Sequence, residues 1–246
     1  MPSLLRKYGI YLLLVAIALA AYFRHVVNID SGIILIALVP SVILHEVSHG
    51  YVALYFGDRT AKNAHRLTLN PIAHIDPLGS LILPAVLTIA GITPIGYAKP
   101  VPVNVGNLRK PRNQAVWVSL AGPVTNIILA IVLGVLVHAR LNHEIASATA
   151  QSIGTAGGPG TGFIDRLMVY GGLVNVNLAV FNLIPIPPLD GSAVLERFIP
   201  DRYLSGYYDA RRFLLPVVIM IFLFFPIVAT KLFTPFQNMW AGTFIP

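Results

Sequence analysis

The sequence predicts an all-α polytopic membrane protein, with about five to six membrane helices, a re-entrant segment and a small β element, in a single domain over residues 1–246. Three observations predict it. Of the 246 residues 56% are hydrophobic and 11% charged, with a mean hydropathy of +0.74, and a surface of that composition could not be kept wet. The apolar residues gather into six runs, each near or above the roughly 20 residues that a spanning helix needs. The connections between the runs leave no room for a second globular domain.

The runs fall at about residues 8–23, 33–56, 77–93, 113–137, 167–187 and 213–233. The first follows Arg6 and Lys7, which suits a signal anchor or a signal peptide equally. The third is short and is interrupted by Pro77, Gly79, Pro84 and Gly91. The fifth ends in NLIPIPPLDG, Asn182 to Gly191, whose prolines unwind the helix and leave Asp190 on irregular backbone near the membrane face, before a short helix at 192–199. Arg66 to Asn70 alternates as a short strand does. Tyr97 to Val105 is extended, but Pro100 and Pro102 restrict it to an edge or a loop. Gly154 to Gly162 is a glycine-rich loop.

Charge orients these runs. The +7 balance comes from Lys and Arg scattered through short loops rather than gathered on one face, which argues against a nucleic-acid partner and for membrane orientation. If every run crosses from a cytoplasmic N-terminus, the basic loops 94–112 and 188–212 fall outside, against the positive-inside rule. If 77–93 dips in and returns, thirteen of the seventeen Lys and Arg lie inside, and only Arg24, Arg140, Arg166 and Lys231 remain outside. Run 77–93 is therefore expected to be re-entrant, which broken backbone tolerates only under cover of protein or beside a water-filled cavity.

Within the second run stand His45, Glu46, Val47, Ser48 and His49. Residues four apart share one helix face, with about 6 Å of rise between them, so both imidazoles can reach one metal ion while Glu46 acts on the water the metal holds. An acid inside a membrane run is costly and usually marks a site or a pathway, which weighs against two histidines merely packed in a bundle. With no cysteine in the chain, thiolate zinc sites are excluded, and the third ligand of a catalytic zinc must be His or a carboxylate. Asp190 is favoured. The rivals are His74 and Asp76, although Asp76 followed by Pro77 is explained by helix capping alone, and Asp190-Gly191 could likewise be a turn. His25, His65, His138 and His143 stand in loops or at the ends of runs and receive no role.

HEVSHG in one apolar segment and FNLIPIPPLDG at the end of a later one closely resemble the site-2 proteases, intramembrane zinc metalloproteases, and in particular the compact bacterial type without PDZ or CBS domains. Residues 66–77, 96–104 and 121–126 are similar to that subgroup as well, so the resemblance covers about residues 33 to 200. It implies one zinc ion per chain held by His45, His49 and Asp190, with Glu46 as catalytic base and Asn182 as the polar residue ahead of the aspartate. It also implies a transmembrane protein or peptide as substrate; water must reach the zinc, so a polar channel is expected to open to the cytoplasm between the second and fifth runs, from a bacterial plasma membrane.

The residues then suggest a mechanism. Glu46 takes a proton from a zinc-bound water as it attacks the scissile carbonyl, then protonates the leaving amine. The Asn182 amide either stabilises the oxyanion or caps the broken helix. A substrate helix must unwind first, and the edge of residues 66–70 could accept its freed backbone. Two other readings stand beside this one: an ion-binding transporter or channel, against which the absence of repeat halves argues, and an inactive scaffold, against which the intact Glu46 argues.

Overall fold

The computed structural model describes residues 29–74, 99–150, 162–200, 202–204, 207, 214, 217, 218, 220–222 and 224–246. The chain divides into two compact units, residues 1–32 with 70–100 and residues 33–69 with 101–246. In the first, a 3-10 turn spans Pro71–His74. It is opened by Ile72 N–H donating to Asn70 Oδ1 at 3.1 Å, and the His74 carbonyl accepts from Lys99 N–H at 2.9 Å.

Most of the described helix belongs to the second unit. Helix α1 runs Ile29–Tyr55, its first turn lying in the other unit, with Asp30 where an acid suits the positive end of the helix dipole. It stops in a left-handed cap: Gly57 has φ +113°, its N–H donates to Leu54 O at 3.1 Å, and Asp58 N–H donates to Ala53 O at 2.9 Å. A short α2, Thr60–Asn63, follows. Helix α3, Pro111–Ala150, starts with proline at its first position, where no N–H is missed, and Gln114 Oε1 accepts from Lys110 N–H at 2.8 Å. Helix α4 is Phe163–Asn182, α5 is Ser192–Glu196 and α6 is Pro226–Phe244.

Helices α3 and α4 pack along one another, and α6 packs against both. Trp240 of α6 is buried and donates from Nε1 to the Ala130 carbonyl at 2.8 Å. A second cluster, Ala53, Leu108 and Val118 with Val52, Phe56, Val103 and Ala115 around it, ties the end of α1 to the start of α3 and the segment before it. The opposite face of α3 exposes Ile127, Ile128, Ile131, Val132, Val135 and Leu136. That is the surface a spanning helix turns to lipid.

Among the described residues three helices are long and apolar enough to cross a membrane: Gly32–Tyr55, Pro111–His143 and Phe163–Asn182. They coincide with the second, fourth and fifth apolar runs. Runs 8–23 and 77–93, and with them the re-entrant segment, lie outside the described residues. The sixth run is not one helix over 213–233. Phe225 leaves the helical region at φ −127°, ψ 70°, because a residue before proline is driven out of it, and α6 starts afresh at Pro226. The small β element is also corrected: no strand occurs among the described residues, and 66–70 is irregular chain. Alternation alone makes no ladder. A second strand must pair with it, and Arg66 instead donates its N–H locally to Ala61 O at 3.0 Å.

Candidate metal centre

His45 and His49 lie one turn apart on α1, with ring centroids 4.7 Å apart and planes at 84°. Asp190 arrives from the chain after α4. Helix α4 ends at Asn182, and Pro185, Pro187 and Pro188 prevent its resumption. The loop closes where Gly191 N–H donates to Asn182 O at 2.6 Å. A Cβ on Gly191 would collide with the Leu183 carbonyl, so only glycine permits that closure. The loop delivers Asp190 Oδ2 to 3.1 Å from His45 Nε2 and 3.4 Å from His49 Nε2.

The outward nitrogens fix what the inward ones can be. His49 Nδ1 lies 2.7 Å from the Val118 carbonyl, which can only accept, so Nδ1 carries the proton. His45 Nδ1 lies 2.5 Å from Asn126 Oδ1, while the Asn126 amide nitrogen donates to Asn175 Oδ1 at 2.7 Å. In the neutral imidazoles both Nε2 atoms then present lone pairs to Asp190 Oδ2, a buried oxygen. Three acceptors facing one another are stable only around a proton or a cation. Their ligand atoms all lie within 4.8 Å of one another, and two ligands of a tetrahedral zinc ion, with bonds of about 2.0–2.2 Å, sit roughly 3.3–3.6 Å apart. The donor set fits zinc.

Helix α3 makes room for this centre at Gly122. A Cβ there would fall 2.5 Å from both His45 Nε2 and His49 Nε2, in the space the ligand atoms face. The next residue, buried Pro123, lacks the N–H that would bond Ser119 O, which loosens this turn of α3 just where the Val118 carbonyl meets His49.

Glu46 is half-buried, and its Oε2 accepts from Val101 N–H at 2.9 Å. Pro100 and Pro102 have no N–H, so Val101 supplies the one backbone donor of that trio. Downstream, Asp58 anchors the same segment. It is buried and accepts from Thr60 N–H and Oγ1 and from Asn107 Nδ2 on one oxygen, and from Asn104 N–H at 2.7 Å on the other. Burial alone would raise its carboxyl pKa, but these hydrogen bonds outweigh it and hold the pKa below its ordinary 3.8.

The structure thus brings together His45, His49 and Asp190, with Glu46 following His45 on α1. Asn182 turns its amide nitrogen to the Leu178 carbonyl at 2.9 Å, a contact within its own helix. His74 is buried in the other compact unit, and Asp76 lies outside the described residues. Gly122, Asn126, Asn175 and Val101 carry no assignment on sequence grounds. An asparagine inside an apolar run, as at 126 and 175, is the signal that could have found two of them, because such residues are expensive there.

The sequence matches the model of Peptidase family M50 over residues 33–225, a range that contains every residue of this centre. Among curated relatives, YwhC of Bacillus subtilis is 38% identical over 192 residues, 77% of this chain and 79% of the relative. Rip2 of Mycolicibacterium smegmatis is 31% identical over 202 residues, 81% of this chain and 66% of the relative. Rip2 of Mycobacterium tuberculosis is 32% identical over 184 residues, 74% and 63%. Each carries the name "Putative zinc metalloprotease", and the chain spans about two thirds of the length of the Rip2 relatives. No solved structure matches the chain.

Proposed function

From the premise that the chain belongs to peptidase family M50 and is a zinc metalloprotease, we propose that it hydrolyses peptide bonds of locally unwound transmembrane segments within the membrane. His45, His49 and Asp190 hold the zinc ion. The observation that carries this is the meeting of two Nε2 atoms and a buried carboxylate oxygen, with both Nδ1 atoms turned outward to oxygen acceptors. Zinc bound there supplies Lewis acidity, lowering the pKa of water and polarising a carbonyl.

The chain's own residues do the rest. Glu46 is the general base: it accepts the proton of the attacking water and returns it to the leaving amine. The Val101 N–H on Oε2 holds the carboxylate in place and leaves Oε1 for proton transfer. Asn182 has one amide N–H on Leu178 O, and its second is the donor for the oxyanion of the tetrahedral intermediate.

The proposal extends to setting. Residues 1–246 form one protease domain of five to six membrane helices in the bacterial plasma membrane, with 77–93 re-entrant and the active site opening to the cytoplasm. The thirteen cytoplasmic Lys and Arg that this topology gives support it.

Glu46→Gln tests the reading. It should retain zinc and abolish cleavage of transmembrane substrates, seen by comparing the membrane proteomes of cells with either form. His45→Ala, His49→Ala and Asp190→Ala should each lose metal. An ion transporter would keep its flux in Glu46→Gln, and a scaffold would keep its partner; either result, with proteolysis absent from the wild type, would overturn the proposal.

A further inference from the structure

Four polar side chains are buried side by side among the spanning helices: Ser41 and His45 on α1, Asn126 on α3 and Asn175 on α4, with relative exposures of 4%, 6%, 0% and 1%. Polar groups this deep in a membrane protein must be satisfied internally. Here they satisfy one another in a fixed direction.

The direction follows from the backbone carbonyls at its end. Asn175 Nδ2 donates to the Gly171 carbonyl at 2.8 Å, which can only accept, so the Asn175 amide cannot be turned round. The same nitrogen donates to Ser41 Oγ at 2.8 Å, and Ser41 Oγ donates onward to the Ala37 carbonyl at 2.7 Å. Asn175 Oδ1 must then accept, and it takes the Asn126 amide at 2.7 Å. Asn126 Oδ1 is left facing His45 Nδ1 at 2.5 Å. Apart from Asn175, the Asn126 nitrogen has only a 3.5 Å approach to the Ser41 carbonyl. What holds the Asn126 oxygen toward His45 is therefore a residue on a third helix, whose own hydrogen bonds go to Asn126, Ser41 and Gly171.

We propose that Asn175 is a positioning residue for metal binding: through Asn126 it locks His45 in the tautomer with Nδ1 protonated and Nε2 open toward Asp190. The inference rests on the zinc-site reading and adds to it that the site is set by the packing of α4 on α3. Were Asn126 to rotate, its NH2 would face Nδ1, and the proton would move to Nε2, where it blocks ligation. Removing a partner that orients a metal-binding histidine costs about 10- to 100-fold in metal affinity.

The test uses the full-length protein in nanodiscs. The tautomer of His45 is read from 15N shifts of metal-free, histidine-labelled protein, and zinc affinity from chelator competition. The wild type should show Nδ1 protonated. Asn175→Leu removes the acceptor for Asn126 and should give a mixture of tautomers with about tenfold weaker zinc binding. Asn175→Asp, which still offers an oxygen to Asn126, should restore the single tautomer. Asn126→Asp combined with Asn175→Leu should restore it too, because a carboxylate has no donor to turn toward His45.

Ser41→Ala provides a check that does not depend on Asn175→Leu folding. It leaves Asn175 held by Gly171 and should keep the wild-type tautomer. A wild-type tautomer and zinc affinity in folded Asn175→Leu would overturn the proposal, reducing Asn175 to interhelical glue; a tautomer switch in Ser41→Ala would overturn it as well. Failure of the wild type to bind zinc would instead remove the metal-site reading, and the two failures are told apart by the metal-free spectrum.

Discussion

The Glu46 carboxylate accepts a hydrogen bond from the Val101 backbone N–H at 2.9 Å, across 55 residues of sequence. Val101→Pro removes that donor and leaves residues 100–102 with no backbone N–H at all. Turnover of a transmembrane peptide should fall by about ten- to a hundredfold, less than the roughly 10²–10⁴-fold that a positioned base contributes in full because Glu46 itself remains, while bound zinc is retained. Val101→Ala keeps the N–H and trims only the packing, so it should stay within a few-fold of the wild type. Equal losses in both variants, measured as kcat in detergent, would show that the side chain matters and the hydrogen bond does not.

Gly122→Ala places a methyl 2.5 Å from both Nε2 atoms. Helix propensity alone would favour this change by about 1 kcal/mol. Sterics at the ligand atoms should decide it the other way: the variant should lose most of its zinc and its activity while keeping its helical circular dichroism. Stoichiometric zinc in Gly122→Ala would mean that the ligands can meet elsewhere.

Asp58 should confer an acid-range dependence on stability. Its folded pKa lies below the ordinary 3.8, so its contribution is fully present above the unfolded value and is lost as pH falls through the folded one. The melting-temperature gap between wild type and Asp58→Asn should be constant above about pH 5 and close as the medium is taken below about pH 4. A gap that widens on acidification would contradict the hydrogen-bonded carboxylate.

Orientation is checked by reporter fusions. Those after residues 66, 108 and 205 should report cytoplasm, and one after 155 should report the exterior. An exterior signal at 108 beside a cytoplasmic one at 66 would mean that 77–93 crosses completely.

Much of this protein follows from local rules. Apolar runs locate the three helices that, among the described residues, are long and apolar enough to span, since length and hydropathy are properties of contiguous residues. The four-residue spacing of His45 and His49 puts them on one face because helix periodicity is itself local, and Pro185, Pro187 and Pro188 end α4 wherever it packs. The strand expected at 66–70 failed for the complementary reason: alternation is local, but a ladder needs a partner strand that the described residues do not supply. Tertiary packing alone decided which group meets which. Asn126 reaches His45 across 81 residues and the Val118 carbonyl reaches His49 across 69. Gly122 is small because two ligand atoms from another helix occupy the space beside it. Those identities depend on the register of α3 and α4 against α1, and register is set by the fit of whole helix faces, which no short stretch of sequence contains.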